Sequence, residues 1–302
     1  KGYQISQYDE PFGKNGFLEI DQQKIRINRL HLEEDAAKLL HPEGEAHTIV
    51  DYNRAGTPLI EVVTEPDIQD PKTAGNVLRE LRAIMRVLKI SDADMEKGHL
   101  RCDANISLRE KGSSKFNPKT EIKNLNSFKS VERALAYEIK RQTILFEQET
   151  PPQVESTVGW NEEKGMTEEQ RTKESANDYR YFPAPDIPPI HISENAKEHT
   201  VHTLSFSRSR SRRSNLSYIT IFLSEIAKSI PELPLQKKSR FHTQYGLSYS
   251  DAALLTRDYH LADYTEKVIS ELFEWAESMA QETDFDNTKL VKLAANWLIN
   301  EF

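Results

Sequence analysis

The chain has one cysteine, Cys102, in 302 residues. A single thiol excludes an internal disulfide framework and any cysteine-cluster zinc site built within this chain. No apolar run approaches the ~20 residues that a membrane-spanning helix needs. Nor is there an excess of positive charge: 40 Lys and Arg face 48 Asp and Glu, a net charge of −8. That balance argues against indiscriminate nucleic-acid binding, though a local basic patch fits within it. The opening KGYQISQYDEP has neither the apolar core of a signal peptide nor the basic, acid-poor pattern of a transit peptide. Starting at Lys1 rather than at an initiator methionine, it reads as the middle of a longer protein. What is there, 37% hydrophobic and 29% charged residues, fits a soluble globular protein of roughly two domains.

The most informative stretch runs from Arg101 to Phe128. Cys102, Ala104, Ile106 and Leu108 alternate with Asp103, Asn105 and Ser107, the period of a half-buried strand. After the turn-forming EKGSSKFNP, Glu121 and Lys123 alternate with Ile122. Two neighbouring antiparallel strands would place Asp103, Asn105, Glu121 and Lys123 on one polar face. Two acids, an amide and a lysine suit a magnesium–nucleotide site, because hard oxygens hold the cation and an ammonium offsets phosphate charge. The same residues equally describe the solvated outer face of a sheet.

Along the rest of the chain, Gly13, Asn15 and Gly16 predict a tight turn. Lys24–Asp35 predicts a strand with Ile25 and Ile27 on one side, ending in Glu33, Glu34 and Asp35. A lone histidine, His31, reads as packing. Asp51–Thr57 is turn-rich and Leu59–Thr64 reads as a strand. There Gly56 predicts a positive φ or a close backbone approach. Arg54 and Glu61 face a pocket, or Arg54 pairs with Asp51 and holds the loop.

Asp70–Lys89 is a helix with Asp70 as N-cap and Pro71 in the first turn. Its Arg79, Arg82 and Arg86 form a row that suits RNA phosphates or plain solvent. A second helix, over Phe128–Phe146, is capped by Asn126 or Ser127 and buries Val131, Leu135 and Ile139. Between Pro151 and Pro189, Arg171, Lys173 and Arg180 stand among Tyr179, Tyr181 and Phe182, which suits a nucleotide or a domain hinge. Asn195–Phe222 holds SFSRSRSRRSN, with little to bury, and reads as a disordered insertion or a gene-model artefact. From Leu223 onward helices are expected over Leu235–Tyr245, Ser250–Arg257, Asp263–Glu282 and from Leu290, the third burying Val268, Leu272 and Trp275. No Ser–Lys amidase signature and no Cys–His glutaminase arrangement occurs.

RCDANISLR, KTEIKNLNSF, HLEEDAAK, DYNRAGTPLIEVVTEPDI and DYRYFPAPDIPP closely resemble the GatB/GatE family, the B-type subunits of tRNA-dependent amidotransferases. The resemblance implies an α+β fold: an antiparallel-sheet cradle, distantly glutamine synthetase-like, over 1–192. The insertion at 193–222 and the start of a helical domain at 223–302 follow. It implies an ATP-dependent ligase that phosphorylates the side chain of misacylated Glu-tRNA(Gln), or of Asp-tRNA(Asn), and then amidates it. Glu33, Glu34, Asp103 and Glu121 would hold Mg2+; Lys123, Arg171 and Lys173 would steady the phosphates of ATP. The family's MRxKE here reads Gln170-Arg171-Thr172-Lys173-Glu174, which keeps both cations.

The implied partners are an amidase subunit (GatA), a small third subunit (GatC- or GatF-like) and misacylated tRNA, with no membrane. The family's N-terminal glutamate and histidine motif and its tRNA-contacting tail are not among these residues. A catalytically incomplete partner- or RNA-binding fragment is therefore one alternative, and a GatE-type relative another. The Ser/Arg-rich insertion points to a mitochondrial location, with a bacterial cytoplasm as the alternative.

Overall fold

A computed structural model describes residues 3–21, 23–42, 44–172, 180–187, 190–193, 219–279 and 286–301. In chain order the strands are β1 (Tyr3–Ile5), β2 (Gly13–Ile20), β3 (Gln23–Glu34), β4 (Lys38–Leu40), β5 (Ile49–Asp51) and β6 (Pro58–Thr64). Helix α1 (Pro71–Val87), β7 (Ala104–Ile106), β8 (Thr120–Lys123), α2 (Phe128–Glu147), β9 (Ser156–Asn161) and β10 (Met166–Thr172) come next. Then come β11 (Arg180–Phe182), β12 (Ile190–Ser193) and β13 (Ile219–Phe222). The chain closes with α3 (Leu223–Ser229), α4 (Pro234–Gln244), α5 (Tyr249–Leu255), α6 (Tyr259–Met279) and α7 (Asn287–Glu301). The α+β class is as expected. These elements sort into two compact units, Lys1–Asp67 with Ser175–Ile230, and Ile68–Glu174 with Pro231–Phe302. The units cut across the boundaries expected at 192 and 222.

In the first unit, β3 is the middle strand of an antiparallel sheet ordered β2-β3-β6. Its Ile25 is fully buried, as its phase requires. The residues expected to turn, Gly13 to Gly16, instead lie within β2, where Asn15 takes a φ of 57°. Strand β1 runs parallel to β11 and is bridged to β3 through Ser6 and Glu33. Gly56 has a φ of 77° with open space where a Cβ would be, so backbone conformation explains this glycine. The Ser/Arg-rich centre of the expected insertion lies outside the described residues. The last four residues of the expected insertion, Ile219–Phe222, form β13, parallel to β12.

In the second unit the four-stranded sheet has the order β10-β9-β8-β7. It is mixed, because β8 and β9 run parallel while the other pairs are antiparallel; the expectation of a purely antiparallel sheet misses that pair. One face packs on α1 and α2 through Ala74, Ile122, Val131, Ala134, Leu135 and Val158. Asp70 caps α1 by accepting from the Thr73 amide, and Ser127 caps α2 by accepting from the Ser130 amide. The buried seam of α2 also holds Glu138 and Gln142, whereas Ile139 is only half-buried. Glu138 accepts both Arg141 guanidinium bonds at 2.9 Å and further bonds from Gln142 and Thr167, which satisfies a buried carboxylate.

The arginine row of α1 is used within the fold. Arg79 pairs with Glu132, Arg86 donates to the Asp92 carbonyl, and Arg82 lies over the Phe128 ring. In α6 the buried residues are Ala262, Thr265, Ile269 and Ala276. This seam is rotated from the expected Val268, Leu272 and Trp275, and Trp275 is largely exposed. The neighbours α4, α5 and α7 set it, through a core of Phe241, Leu255, Ile269, Val291 and Leu298.

Candidate functional site

Two groups of carboxylates, one in each unit, stand where the candidate site residues fall. In the second unit, β7 and β8 pair with Asn105 opposite Glu121 and Ala104 opposite Ile122. Exposure alternates from Arg101 to Ile106, and Ile122 is fully buried. Asp103, Asn105, Glu121 and Lys123 therefore share the solvent-facing side, as expected. The Lys123 ammonium lies 2.7 Å from an Asp103 oxygen and 3.1 Å from a Glu121 oxygen. Thr157 Oγ1 donates to the other Glu121 oxygen at 3.2 Å. Partial burial would lower the Lys123 pKa, but the hydrogen bonds and charges of Asp103 and Glu121 outweigh it and raise the pKa.

Gly159, across from Lys123 on β9, completes the floor of this face. A Cβ there would come within 2.4 Å of the Gln170 amide nitrogen and 2.9 Å of that of Asn124. Along the strands Asn105, Glu121, Thr157 and Arg171 form one cross-sheet row. This fixes the backbone position of Arg171; Lys173 lies outside the described residues. Cys102 falls on the opposite, apolar phase. Burial, reinforced by the Asp103 charge, pushes its thiol up to about 12, so it is packing and not a nucleophile.

In the first unit, His31, Glu33 and Glu61 bring one ligand atom each to within 4.8 Å of one another. His31 is opposite Glu61 in the β3–β6 register. Glu33 is buried and already engaged. One of its oxygens takes Ser6 Oγ at 3.1 Å and His31 Nε2 at 2.9 Å; the other takes Gln4 Nε2 at 2.9 Å. Glu34 follows Glu33 on the same strand, so alternation sends the two side chains to opposite faces. The resemblance assigned both to the metal site, whereas the pleat separates them. Arg54 pairs with Asp35 at 2.7 Å, not with Asp51.

Two residues left out of the expected site belong to this cluster. Glu61 is partly exposed and lies 3.7 Å from both Arg29 and His31. His31 is fully buried. The sequence reading had Glu61 face a pocket without assigning it a ligand role; His31 lies in the matching HLEEDAAK segment but was read as packing.

The family model of the GatB/GatE catalytic domain matches residues 1–198. The chain belongs to the GatB/GatE family. The B-type subunit of the aspartyl/glutamyl-tRNA(Asn/Gln) amidotransferase from Caldanaerobacter subterraneus subsp. tengcongensis is 44% identical to it over 306 residues. That match covers all of this chain and 55% of the relative. The protein of the same name from Thermoanaerobacter sp. strain X514 is also 44% identical, with the same coverage. The second such protein of Clostridium acetobutylicum is 43% identical over 274 residues, or 89% of this chain and 52% of the relative. The chain thus spans about half the length of these GatB relatives.

Proposed function

We propose that this chain is the phosphoryl-transfer part of the GatB component of a glutamyl-tRNA(Gln) amidotransferase, with Asp-tRNA(Asn) as a second substrate. The observation that carries this reading is the Lys123 ammonium held between Asp103 and Glu121 on a solvent-facing sheet surface. Carboxylate oxygens fit Mg2+, a hard cation, and an ammonium fits phosphate. Asp103 and Glu121 would hold Mg2+ in the second unit, and Glu61 in the first. Glu33, whose oxygens are taken, acts through its neighbours, and Glu34 offers its carboxylate on the other face of β3. Bound Mg2+ would supply positive charge to the polyphosphate of ATP.

In the reaction, a side-chain carboxylate oxygen of the misacylated residue attacks the γ-phosphorus of ATP and ADP leaves. Ammonia then attacks the acyl phosphate carbon, inorganic phosphate leaves, and a proton is released from nitrogen to give the amide. Catalysis of this kind is positioning and charge stabilisation. Lys123 orients phosphate oxygens, and Arg171 and Lys173 add positive charge. The sheet face serves as the cradle floor, in the manner of glutamine synthetase.

The proposed partners are an amidase subunit (GatA) that supplies ammonia, a small third subunit (GatC- or GatF-like) and the misacylated tRNA. Among the described residues no helix is long and apolar enough to cross a membrane. The relatives named above come from bacteria, so a bacterial cytoplasm, and not a mitochondrion, is the proposed location.

The test is amide formation by a full-length version with ATP and purified misacylated tRNA. Glutamine should yield no product until an amidase subunit is added, while high free ammonia should yield some. Efficient use of glutamine by the full-length protein alone would defeat the assignment. Mg2+-dependent ATP turnover by the 302-residue chain separates a competent unit from a binding fragment.

A further inference from the structure

The chemistry of the first unit leaves the imidazole of His31 unexplained. It is 0% exposed. Its Nε2 lies 2.9 Å from Glu33 and 3.7 Å from Glu61. Its Nδ1 is buried and has no hydrogen-bond partner among the described residues. Around it, Tyr8 packs edge-on against the ring at 5.9 Å and in turn stacks on Tyr181.

The orphaned Nδ1 decides between two roles. A histidine that ligates a metal through Nε2 must carry its proton on Nδ1, and ligating histidines give that proton to an acceptor. Here Nδ1 meets no acceptor, and a buried N–H without one is destabilising. With the proton on Nε2, the donor meets the Glu33 oxygen at 2.9 Å and Nδ1 keeps only a lone pair. Glu33 is held in turn by Gln4 and Ser6 from the β1 segment. The partly exposed acid of the group, Glu61, lies across the strand pair 3.7 Å from the same nitrogen, beyond hydrogen-bond length, with Arg29 at the same distance on its other oxygen.

We infer that His31 is a positioning residue and not a metal ligand: seated on Glu33, it sets the orientation of Glu61 toward a divalent cation. The inference rests on the metal reading given above. It also recasts Glu33 as the anchor of His31.

The test uses the full 302-residue chain. Long-range 1H–15N NMR of the 15N-histidine-labelled protein reads which nitrogen of His31 is protonated, with His31→Gln for assignment. The proton is expected on Nε2, and it stays there when Mg2+ is added. Mn2+ binding, followed by EPR, should weaken about 10- to 100-fold in His31→Leu. His31→Gln, whose amide can donate to Glu33, should recover most of that loss. In the full-length enzyme the same pair should move the apparent KM for Mg2+ and leave the KM for tRNA unchanged, a split that general destabilisation does not give.

A proton on Nδ1, or loss of the Nε2 proton on metal addition, makes His31 a ligand and overturns the inference. Unchanged Mn2+ affinity in a folded His31→Leu protein overturns it too. Should His31→Leu fail to fold, the wild-type NMR result and the His31→Gln affinity still decide. A wild-type chain without Mn2+ affinity overturns both this inference and the metal reading; Mn2+ binding without amide formation overturns only the proposed reaction.

Discussion

Glu33 and Glu121 are both strand glutamates with a cation or imidazole beside them, yet their surroundings differ. Glu33 is 8% exposed and takes three donors from its own unit. Glu121, its side chain 15% exposed, has Lys123 and Thr157 among its partners and lies beside an Asp103 that is about half exposed. A carboxylate that already takes three donors can orient neighbours but has little left for a cation. One held by a movable ammonium can exchange that partner for a ligand. The same residue type thus serves architecture in the first unit and, on the proposed reading, chemistry in the second. The boundary is sharp even between neighbours in sequence: Cys102 is packed, while the next residue, Asp103, is in water.

The largest effect expected from this contrast is at Cys102. With its thiol pushed up to about 12, alkylation at pH 8 should run roughly a thousandfold slower in the folded chain than in denaturant. A rate near that of a free thiol would show that the apolar phase is not closed.

Next comes Glu33→Ala, which strands buried donors on Ser6 and His31 and removes one acceptor of Gln4. It should lower stability by about 3 kcal/mol, read as a shift in the urea midpoint, whereas Glu121→Gln should stay within about 1 kcal/mol. Equal losses for the two would erase the distinction.

Lys123→Met is expected to reverse the pattern. Phosphoryl transfer in the full-length enzyme should fall about 100-fold with stability changed by less than about 1 kcal/mol, since Asp103 and solvent screen the pair. Retained activity would remove Lys123 from the site.

The smallest effect is on pH dependence. The folded-state pKa of Lys123 is raised, so the stability it contributes is fully present below the unfolded lysine value of about 10.4 and fades as pH rises through the folded value. Stability curves of wild type and Lys123→Met should therefore diverge below that range and converge above it, by less than about 1 kcal/mol. A gap that widens with alkaline pH would give the pair the wrong sign.

Local order was legible where it depends on neighbours in sequence. The alternation of Cys102 to Ile106 and of Glu121 to Lys123 determined which side chains share a face, and the structure keeps that assignment. Asp70 and Ser127 announced their helices, because an N-cap bonds only a few residues ahead. Family wording identified the chain, and the 1–198 match agrees.

The tertiary structure alone decided the rest. Whether β9 runs parallel or antiparallel to β8 depends on the path of the chain between them, which no local pattern encodes. Glu33 and Glu34 look equivalent in HLEED; the pleat of β3 and the arrival of Gln4 and Ser6 made one an anchor and left the other on the opposite face. The α6 seam turned because α4, α5 and α7 chose its buried side, and several faces of that helix were apolar enough to serve. His31 became more than packing only when Glu61 was paired across from it and its Nδ1 was left without a partner. Such contacts join residues some 30 positions apart, and they exist only once the strands have paired.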